Sequence, residues 1–222
     1  MVVEDAEQPI GWARQVLVDP QRLARWTDRF RASHGPTRWT ISGHEAVLSA
    51  ADGAHARLGN PWEAVAPDCS PGAFERHLRR DRRVAVVLGR RGSHAVGIAE
   101  GPELVTSKVD RSYVQGRTKA GGWSQQRYAR RRSNQTDKAI TDTIERCLTR
   151  LVPELDTLEA LVCGGDRSFI QAVLDDPRLA GLAALRTRHR LLPVPDPRQE
   201  VLREAIMTMC KVPIDLDEAA LL

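Results

Sequence analysis

The sequence predicts an α+β protein in which helices flank a mixed sheet, preceded by a small mixed α/β module. Three observations predict this fold. Residues 82–109 contain three successive apolar runs separated by glycine-containing turns, a pattern typical of a strand meander. After residue 137, helical and strand-like segments alternate, as in helices that cover a sheet. The Pro- and Gly-rich stretch 60–72 separates these elements from the first third of the chain.

The first third, residues 1–72, is predicted to form the small module. Asp19 is a favourable N-cap and Pro20 fits the first helical position, so we expect a helix over 20–33. Short strands are expected at 14–18, 38–42, 45–51 and 55–59. Four of the five tryptophans lie here, and we expect them in its core: Trp12, Trp26, Trp39 and Trp62.

Residues 73–222 are predicted to form the larger domain. A helical apolar stripe indicates one long helix that ends at Pro153, and its members are Ile140, Ile144, Cys147, Leu148 and Leu151. The other expected elements are a helix at 72–80, a hairpin at 82–101, strands at 103–109, 158–165 and 190–194, and helices at 166–179 and 196–210.

Composition excludes several classes of protein. The chain has 222 residues, of which 41% are hydrophobic and 28% charged, with a formal net charge of +4, so a disordered chain is not expected. The four cysteines form no CxxC pair, which argues against a zinc cluster. No segment resembles a signal peptide or reaches the ~20 apolar residues of a membrane span. We expect a cytoplasmic monomer with free, mostly buried thiols.

The most unusual stretch is the cationic segment, residues 111–136, which we expect to form a protruding loop before the long helix. It contains no Asp, Glu, His or Cys. Unopposed positive charge suits a phosphate backbone, and Trp123 and Tyr128 could stack on unpaired bases. A solvated helix face is the alternative interpretation. The basic residues are Arg111, Arg117, Lys119, Arg127, Arg130, Arg131 and Arg132.

The cationic segment has no acid or base for catalysis. Ser124 lies outside any GxSxG motif, and the histidines at 44, 55, 77 and 94 lack metal-ligand spacing on a shared helix. The strand "VAVVLG" carries no carboxylate that could anchor a two-metal nuclease site. Catalysis by this segment would therefore position water and donate hydrogen bonds, which a glutamine amide can do. We expect neither a metal nor a cofactor.

The stretch "YVQGRTKAGGWSQQRYARRRSNQ" (113–135) resembles the signature loop of the Vms-like release factors, most closely their actinobacterial branch, which is described as peptidyl-tRNA hydrolases. These proteins are related to the eukaryotic and archaeal class I release factors, which carry a Gly-Gly-Gln loop. The order of elements over 78–212 also resembles the release-factor middle domain, an RNase H-like fold without nuclease chemistry. The segment "GGDRSFIQAVLDDPRL" (164–179) is similar to the corresponding part of this group.

The resemblance implies a function in releasing nascent peptides. The loop would enter the peptidyl transferase centre of the large ribosomal subunit and promote hydrolysis of peptidyl-tRNA. Gly121 and Gly122 match the glycine pair, and Gln125 matches the catalytic glutamine. Gln126 is the alternative, because two residues separate the glycines from Gln125 whereas the release factors have none there. The expected contacts to ribosomal RNA or tRNA are Arg117, Lys119, Trp123, Arg127, Arg130, Arg131 and Arg132.

No stop-codon-reading motif is recognisable in the first third, so the resemblance implies rescue or quality control of stalled complexes rather than normal termination. Two other functions stay open at this stage. One is a ribosome- or RNA-binding protein with a degenerate, inactive loop. The other is a hydrolase that acts on free peptidyl-tRNA away from the ribosome.

Overall fold

The computed structural model describes the backbone of residues 10–90, 92–111 and 122–222, and the side chains of these residues except 111 and 122–134. The strands in these ranges are β1 (Arg14–Val18), β2 (Thr37–Ser42), β3 (Glu45–Ala50), β4 (His55–Gly59), β5 (Arg83–Arg90), β6 (Ser93–Glu100), β7 (Glu103–Arg111), β8 (Ala160–Gly165) and β9 (Val212–Leu216). The helices are α1 (Leu23–His34), α2 (Pro71–Arg79), α3 (Gly122–Arg150), α4 (Arg167–Leu174), α5 (Ala180–Ala184) and α6 (Gln199–Met209). The predicted α+β class with a mixed sheet is confirmed.

The chain divides into two compact units. Unit 1 comprises Met1–Arg80 with Lys211–Leu222, and unit 2 comprises Asp81–Cys210. These limits differ from the sequence-based domains 1–72 and 73–222. Helix α2 belongs to unit 1, where Thr27 Oγ1 donates to Glu75 Oε1 at 3.1 Å. The C-terminal segment joins unit 1 because β9 pairs with β1 and β4.

Unit 1 is a five-stranded antiparallel sheet in the order β1-β9-β4-β3-β2, accompanied by α1 and α2. The prediction that all four tryptophans form its core is wrong. Only Trp62 is fully buried among them, at 8% exposure, whereas Trp12, Trp26 and Trp39 are half-buried. Trp12 instead lies beneath the guanidinium of Arg57, 4.8 Å from the ring centre. A large indole ring at a module's edge is only partly covered because the module is small.

Unit 2 is a four-stranded mixed sheet in the order β7-β6-β5-β8. The predicted meander forms β5, β6 and β7 as antiparallel neighbours, and β8 pairs parallel to β5. Helices α3 and α4 contribute to one core cluster with this sheet. A Cβ at Gly97 would contact Leu202 of α6, whereas the neighbouring Val96 and Ile98 belong to the α3 cluster. Because side chains alternate along a strand, α6 lies on the opposite face of the sheet.

The predicted strand at 190–194 is wrong. This stretch makes one isolated parallel bridge to β8, between Leu192 and Gly164. Pro193 and Pro195 have no backbone N–H to donate, so a regular ladder cannot continue there. Conversely, β9 was not predicted as a strand, although it completes the sheet of unit 1.

His189, three residues before this bridge, makes hydrogen bonds within unit 2. We expect it to make the stability of unit 2 sensitive to acid. Its Nε2 lies 3.0 Å from the Met209 carbonyl oxygen, so Nε2 donates and Nδ1 accepts from Thr187 Oγ1 at 2.8 Å. Burial lowers the pKa of His189 to about 4. Between about pH 6.5 and pH 4, His189 is therefore protonated in the unfolded chain, where its pKa is about 6.5, but neutral in the folded chain. Lowering the pH through this interval favours unfolding.

This site alone should lower the free energy of unfolding by about 3 kcal/mol between pH 7 and pH 4. Urea unfolding at both pH values measures the loss, with His189→Gln as the comparison. The variant should lose less stability over that interval. An equal loss in both proteins would show that His189 does not cause the acid sensitivity.

Candidate active site

The candidate catalytic residues lie at the start of α3. Gly122 is the first residue of α3, and Gln125 and Gln126 follow in its first two turns. The cationic segment is thus not one loop over 111–136, because β7 extends to Arg111 and α3 begins at Gly122. Glutamine, arginine and alanine favour helix, so the residues after the glycine pair extend the N-terminal end of the long helix to Gly122.

Several predicted site residues lie outside the described part of the structure. Gly121, Arg117 and Lys119 fall in the span 112–121. For five others the structure describes the helical backbone but not the side chains, and these are Trp123, Arg127, Arg130, Arg131 and Arg132. The same holds for the side chains of Gln125 and Gln126. Their contacts therefore remain predictions from the sequence.

A helix start has chemical consequences for the residues placed there. The first four N–H groups of an α-helix have no partner within the helix, and together they carry a partial positive charge. In α3 these groups belong to Gly122, Trp123, Ser124 and Gln125. No acid lies in this first turn to neutralise them. The backbone here can therefore stabilise a negative charge on an approaching group.

Helix α3 separates this end from the core by a considerable length. The helix has 29 residues, so it is roughly 43 Å long at 1.5 Å per residue. Its first described buried side chain is Ala139, at 0% exposure, and Thr143, Ile144 and Cys147 follow towards its C-terminal end. Gly122 and Ala139 are thus roughly 25 Å apart along the axis.

The C-terminal half of α3 is fixed by packing against the sheet and α4. Cys147 and Leu151 are fully buried in the cluster that also contains Val96 of β6 and Phe169 of α4. Burial raises the pKa of Cys147 to about 12, so this thiol stays protonated and acts as an apolar group. The sequence prediction of free thiols agrees with the four cysteines, which form no disulfide.

A charged cluster joins α3 to the end of β7, directly before the undescribed span. Arg146 Nε donates to Asp110 Oδ2 at 2.6 Å, and Lys108 Nζ lies 3.5 Å from Asp110 Oδ1. His94 of β6 stands opposite Asp110 in the strand register, with Nε2 3.5 Å from Asp110 Oδ2. Asp110 therefore links three elements at the base of the cationic segment.

Burial and neighbouring charges shift the pKa values of His94 and Asp110 in opposite directions. His94 is 2% exposed, and desolvation lowers its pKa although the carboxylates of Asp110 and Asp142 oppose that change. For Asp110, partial burial acts to raise the pKa, but the hydrogen bond and charge of Arg146 outweigh it, and the pKa is lowered. At neutral pH the cluster thus contains an ionised Asp110 paired with Arg146 and a neutral His94.

This cluster was not predicted from the sequence, where His94 was considered only as a metal ligand and lacks the spacing for one. The hairpin register brings His94 and Asp110 together, and Arg146 arrives from a helix 36 residues further along the chain. The available signal was His94, a titratable residue that directly precedes the apolar run 95–99.

Arg146→Gln should destabilise unit 2 by about 1–2 kcal/mol, because Asp110 then loses its charged donor in a partly buried place. Arg31→Gln is the matched control, since Arg31 also pairs with an acid at 2.7 Å but both side chains are about two-thirds exposed. The control should change stability by less than about 0.5 kcal/mol. Equal unfolding midpoints for Arg146→Gln and the wild type would rule out an anchoring role for the pair.

Neither a metal-binding cluster nor a membrane-spanning helix is found among the described residues. Within these residues no group of three or more His, Cys, Asp or Glu is arranged to hold a metal ion. None of the helices searched in the described ranges is long and apolar enough to cross a membrane.

Comparison with known proteins decides the family. Residues 82–215 match the family model described as Actinobacteria/chloroflexi VLRF1 release factor, and this span is more than half of the chain. The chain belongs to the VLRF1 release factor family. The match begins near the start of unit 2 and includes α3 with its glycine-glutamine start, so it contains every candidate catalytic residue. Membership gives the protein a translation-related, release-factor role.

Likeness to solved structures is more distant. Eleven chains match, and one is described as the crystal structure of the archaeal translation termination factor aRF1. It shares 14% identity at a TM-score of 0.45, with 86% of this chain and 70% of that chain covered. A second, described as an archaeal protein, shares 12% identity at a TM-score of 0.42 with the same coverage. No curated protein matches the chain. The VLRF1 assignment therefore depends on the family model.

Proposed function

We propose that this VLRF1 family member is a peptidyl-tRNA hydrolase that releases nascent peptides from stalled large-subunit complexes. Water attacks the ester between the peptide and the terminal ribose of the tRNA. The acyl–oxygen bond breaks, the peptide leaves with a new carboxylate, and the ribose hydroxyl regains its proton. The reaction uses no metal and no cofactor.

One observation carries the proposal: a long helix begins at Gly122 and contains both glutamines in its first two turns, inside the span that matches a release-factor family. This placement supports catalysis by a segment without ionisable acids or bases. The helix base is fixed by the core and the Asp110–Arg146 pair. A rigid helix transmits that fixed position to Gln125 better than a free loop would.

In the proposed mechanism the amide of Gln125 positions the attacking water through its carbonyl oxygen, which accepts a hydrogen bond from that water. The free backbone N–H groups at the start of α3 face the developing oxyanion of the tetrahedral intermediate. Gly121 and Gly122 allow the backbone to approach the substrate closely because neither has a Cβ. Gln126 is the alternative water-positioning residue.

We propose that the basic residues of the cationic segment bind phosphates of ribosomal RNA or tRNA, and that Trp123 stacks on a base. Reversing the charge at Arg130, Arg131 and Arg132 should therefore weaken large-subunit binding first. Because three phosphate contacts are lost, the slope of the logarithm of the binding constant against the logarithm of the salt concentration should become shallower by about 2–3. Cosedimentation at several salt concentrations measures this. Unchanged binding with failed release would remove these arginines from the phosphate contacts.

The function is tested by adding the purified protein to isolated large subunits that carry peptidyl-tRNA, and to the same peptidyl-tRNA free in solution. Release from the subunits alone is expected. Equal rates on both substrates would instead favour a hydrolase of free peptidyl-tRNA. Binding without release on either substrate would favour a non-catalytic ribosome-binding protein with a degenerate site.

A further inference from the structure

Unit 1 carries a set of arginines for which the proposed function has no use. We call it the arginine patch, and it consists of Arg22, Arg25 and Arg29 at α1 together with Arg76 and Arg79 of α2. The first four are exposed, and Arg79 is half-exposed. All five lie outside the cationic segment, and the four-stranded unit that contains the candidate site does not include them.

Helical spacing places the arginines of α1 together. Positions 22, 25 and 29 fall within a narrow sector of an α-helix, whereas Leu23 and Phe30, both buried, mark the opposite side. The arginines therefore point away from the core of unit 1 and form one continuous basic stripe.

Helix α2 contributes two further arginines, Arg76 and Arg79, to unit 1. It packs against the 3-10 turn Pro20–Arg22 at the start of α1, and the bond from Thr27 Oγ1 to Glu75 Oε1 ties the two helices together at 3.1 Å. Phe74 and Leu78 face the core of unit 1, so Arg76 lies on the outer side of α2. Thr27 lies on the side of α1 that carries Leu23 and Phe30, so the contact with α2 is made away from the arginine stripe, and Arg76 adds to the positive charge of unit 1 on its own outer face.

The positive charge of the patch is not neutralised within the described structure. None of its five arginines makes an ion pair with a residue in the described ranges. The two acids of these helices are engaged elsewhere, since Asp28 pairs with Arg31 at 2.7 Å and Glu75 accepts from Thr27. Residues 20–34 and 71–79 contain six arginines against these two acids, an excess equal to the net charge of the whole chain.

The chemistry of the patch fits nucleic acid backbone better than unpaired bases. Base recognition in single strands needs accessible aromatic rings. In the described residues of α1 and α2, Phe30 and Phe74 are buried, and Trp26 is half-buried with one face stacked on Phe30 at a centroid distance of 5.6 Å. Guanidinium groups alone bind phosphate oxygens without regard to sequence.

We propose that the arginine patch of unit 1 binds the phosphate backbone of double-helical RNA, independently of its sequence. This goes beyond the proposed function, which assigns no partner to unit 1. It gives the protein a second RNA contact that anchors it while the cationic segment acts elsewhere.

The test uses the full-length protein and a labelled 20-base-pair RNA duplex of arbitrary sequence. Arg22, Arg25 and Arg29 are all replaced by glutamine, which keeps the helix but removes three charges. Duplex affinity should fall about tenfold or more near 0.15 M salt. The slope of the logarithm of the affinity against the logarithm of the salt concentration should become shallower by about 2–3. Unfolding by urea confirms that the variant is folded.

The matched control removes the same number of charges from scattered exposed arginines, by replacing Arg38, Arg167 and Arg203 with glutamine. Its duplex affinity should change less than threefold. Equal losses in both variants would mean that net charge alone matters, and no loss in either would mean that the patch does not bind RNA. Preferential binding of a polyglutamate peptide or anionic vesicles over the duplex would also overturn the proposal.

Gln125→Ala separates this inference from the proposed function. That variant should bind the duplex as the wild type does, whatever its effect on release. Loss of duplex binding in Gln125→Ala would contradict an independent contact at the arginine patch. Absence of release by the wild type would contradict the hydrolase and leave the duplex result unaffected.

Discussion

Replacing Gln125 with alanine is expected to slow peptide release from stalled large-subunit complexes by about 100- to 1,000-fold, the usual effect of removing one group that stabilises or aligns an acyl-transfer transition state. Gln125 is the fourth residue of α3, so its backbone N–H is one of the four at this helix end that have no partner within the helix. The alanine variant keeps the helix and its free N–H groups but loses the amide that orients the water.

Gln126→Ala is the matched control, because it removes the same chemical group one residue further along. Its release rate should fall by less than about tenfold, well short of the loss expected for the group that aligns the transition state. Both variants should bind the large subunit as tightly as the wild type, since neither removes a charge. A reversed order would assign the water-positioning role to Gln126. Wild-type rates in both variants would remove the glutamines from the reaction.

Gly165→Ala is expected to destabilise unit 2 by about 3–5 kcal/mol, a large part of the stability of an ordinary domain. Gly165 ends β8 with φ +105, which is unfavourable for alanine. A Cβ there would overlap the carbonyl oxygen of Gly89 in the neighbouring strand, which also accepts from the Asp166 N–H at 2.8 Å. The backbone of β5 cannot move without losing the turn that starts α4.

Gly72→Ala serves as the control for this substitution. Gly72 lies in α2, and the nearest atom to an added Cβ is Arg76 Nη1 at 3.6 Å, an ordinary contact. Alanine favours helix over glycine by up to about 1 kcal/mol, so this variant should be as stable as the wild type or more stable. Urea unfolding measures both. A Gly165→Ala protein with an unchanged midpoint would contradict the close approach of β5 and β8.

Local sequence signals predicted most of the helices and strands correctly. Asp19 accepts from Gln21 N at 2.8 Å, as its predicted N-cap role requires, and Asp166 caps α4 in the same way by accepting from Ser168 N at 2.9 Å. The apolar runs of the meander became β5, β6 and β7 in the predicted order. These features depend on neighbouring residues, so a sequence reveals them directly.

The features that escaped prediction depend on distant parts of the chain. Strand β9 forms only between β1 and β4, and it contains Pro213, which disfavours a strand although Val212, Ile214 and Leu216 alternate as in one. Asp110 and Arg146 meet only after the sheet and α3 have packed. The start of α3 at Gly122 was also missed, because glycine favours turns locally whereas the long helix behind it extends to that point.

The central claim is that water attacks the peptidyl-tRNA ester at the end of α3. The most direct measurement runs wild-type release in water enriched in ¹⁸O and analyses both products by mass spectrometry. One ¹⁸O atom in the new peptide carboxylate, together with full-length tRNA ending in its intact ribose, is the predicted result. A peptide released with nucleotides still attached, or a carboxylate without ¹⁸O, would contradict ester hydrolysis by this protein.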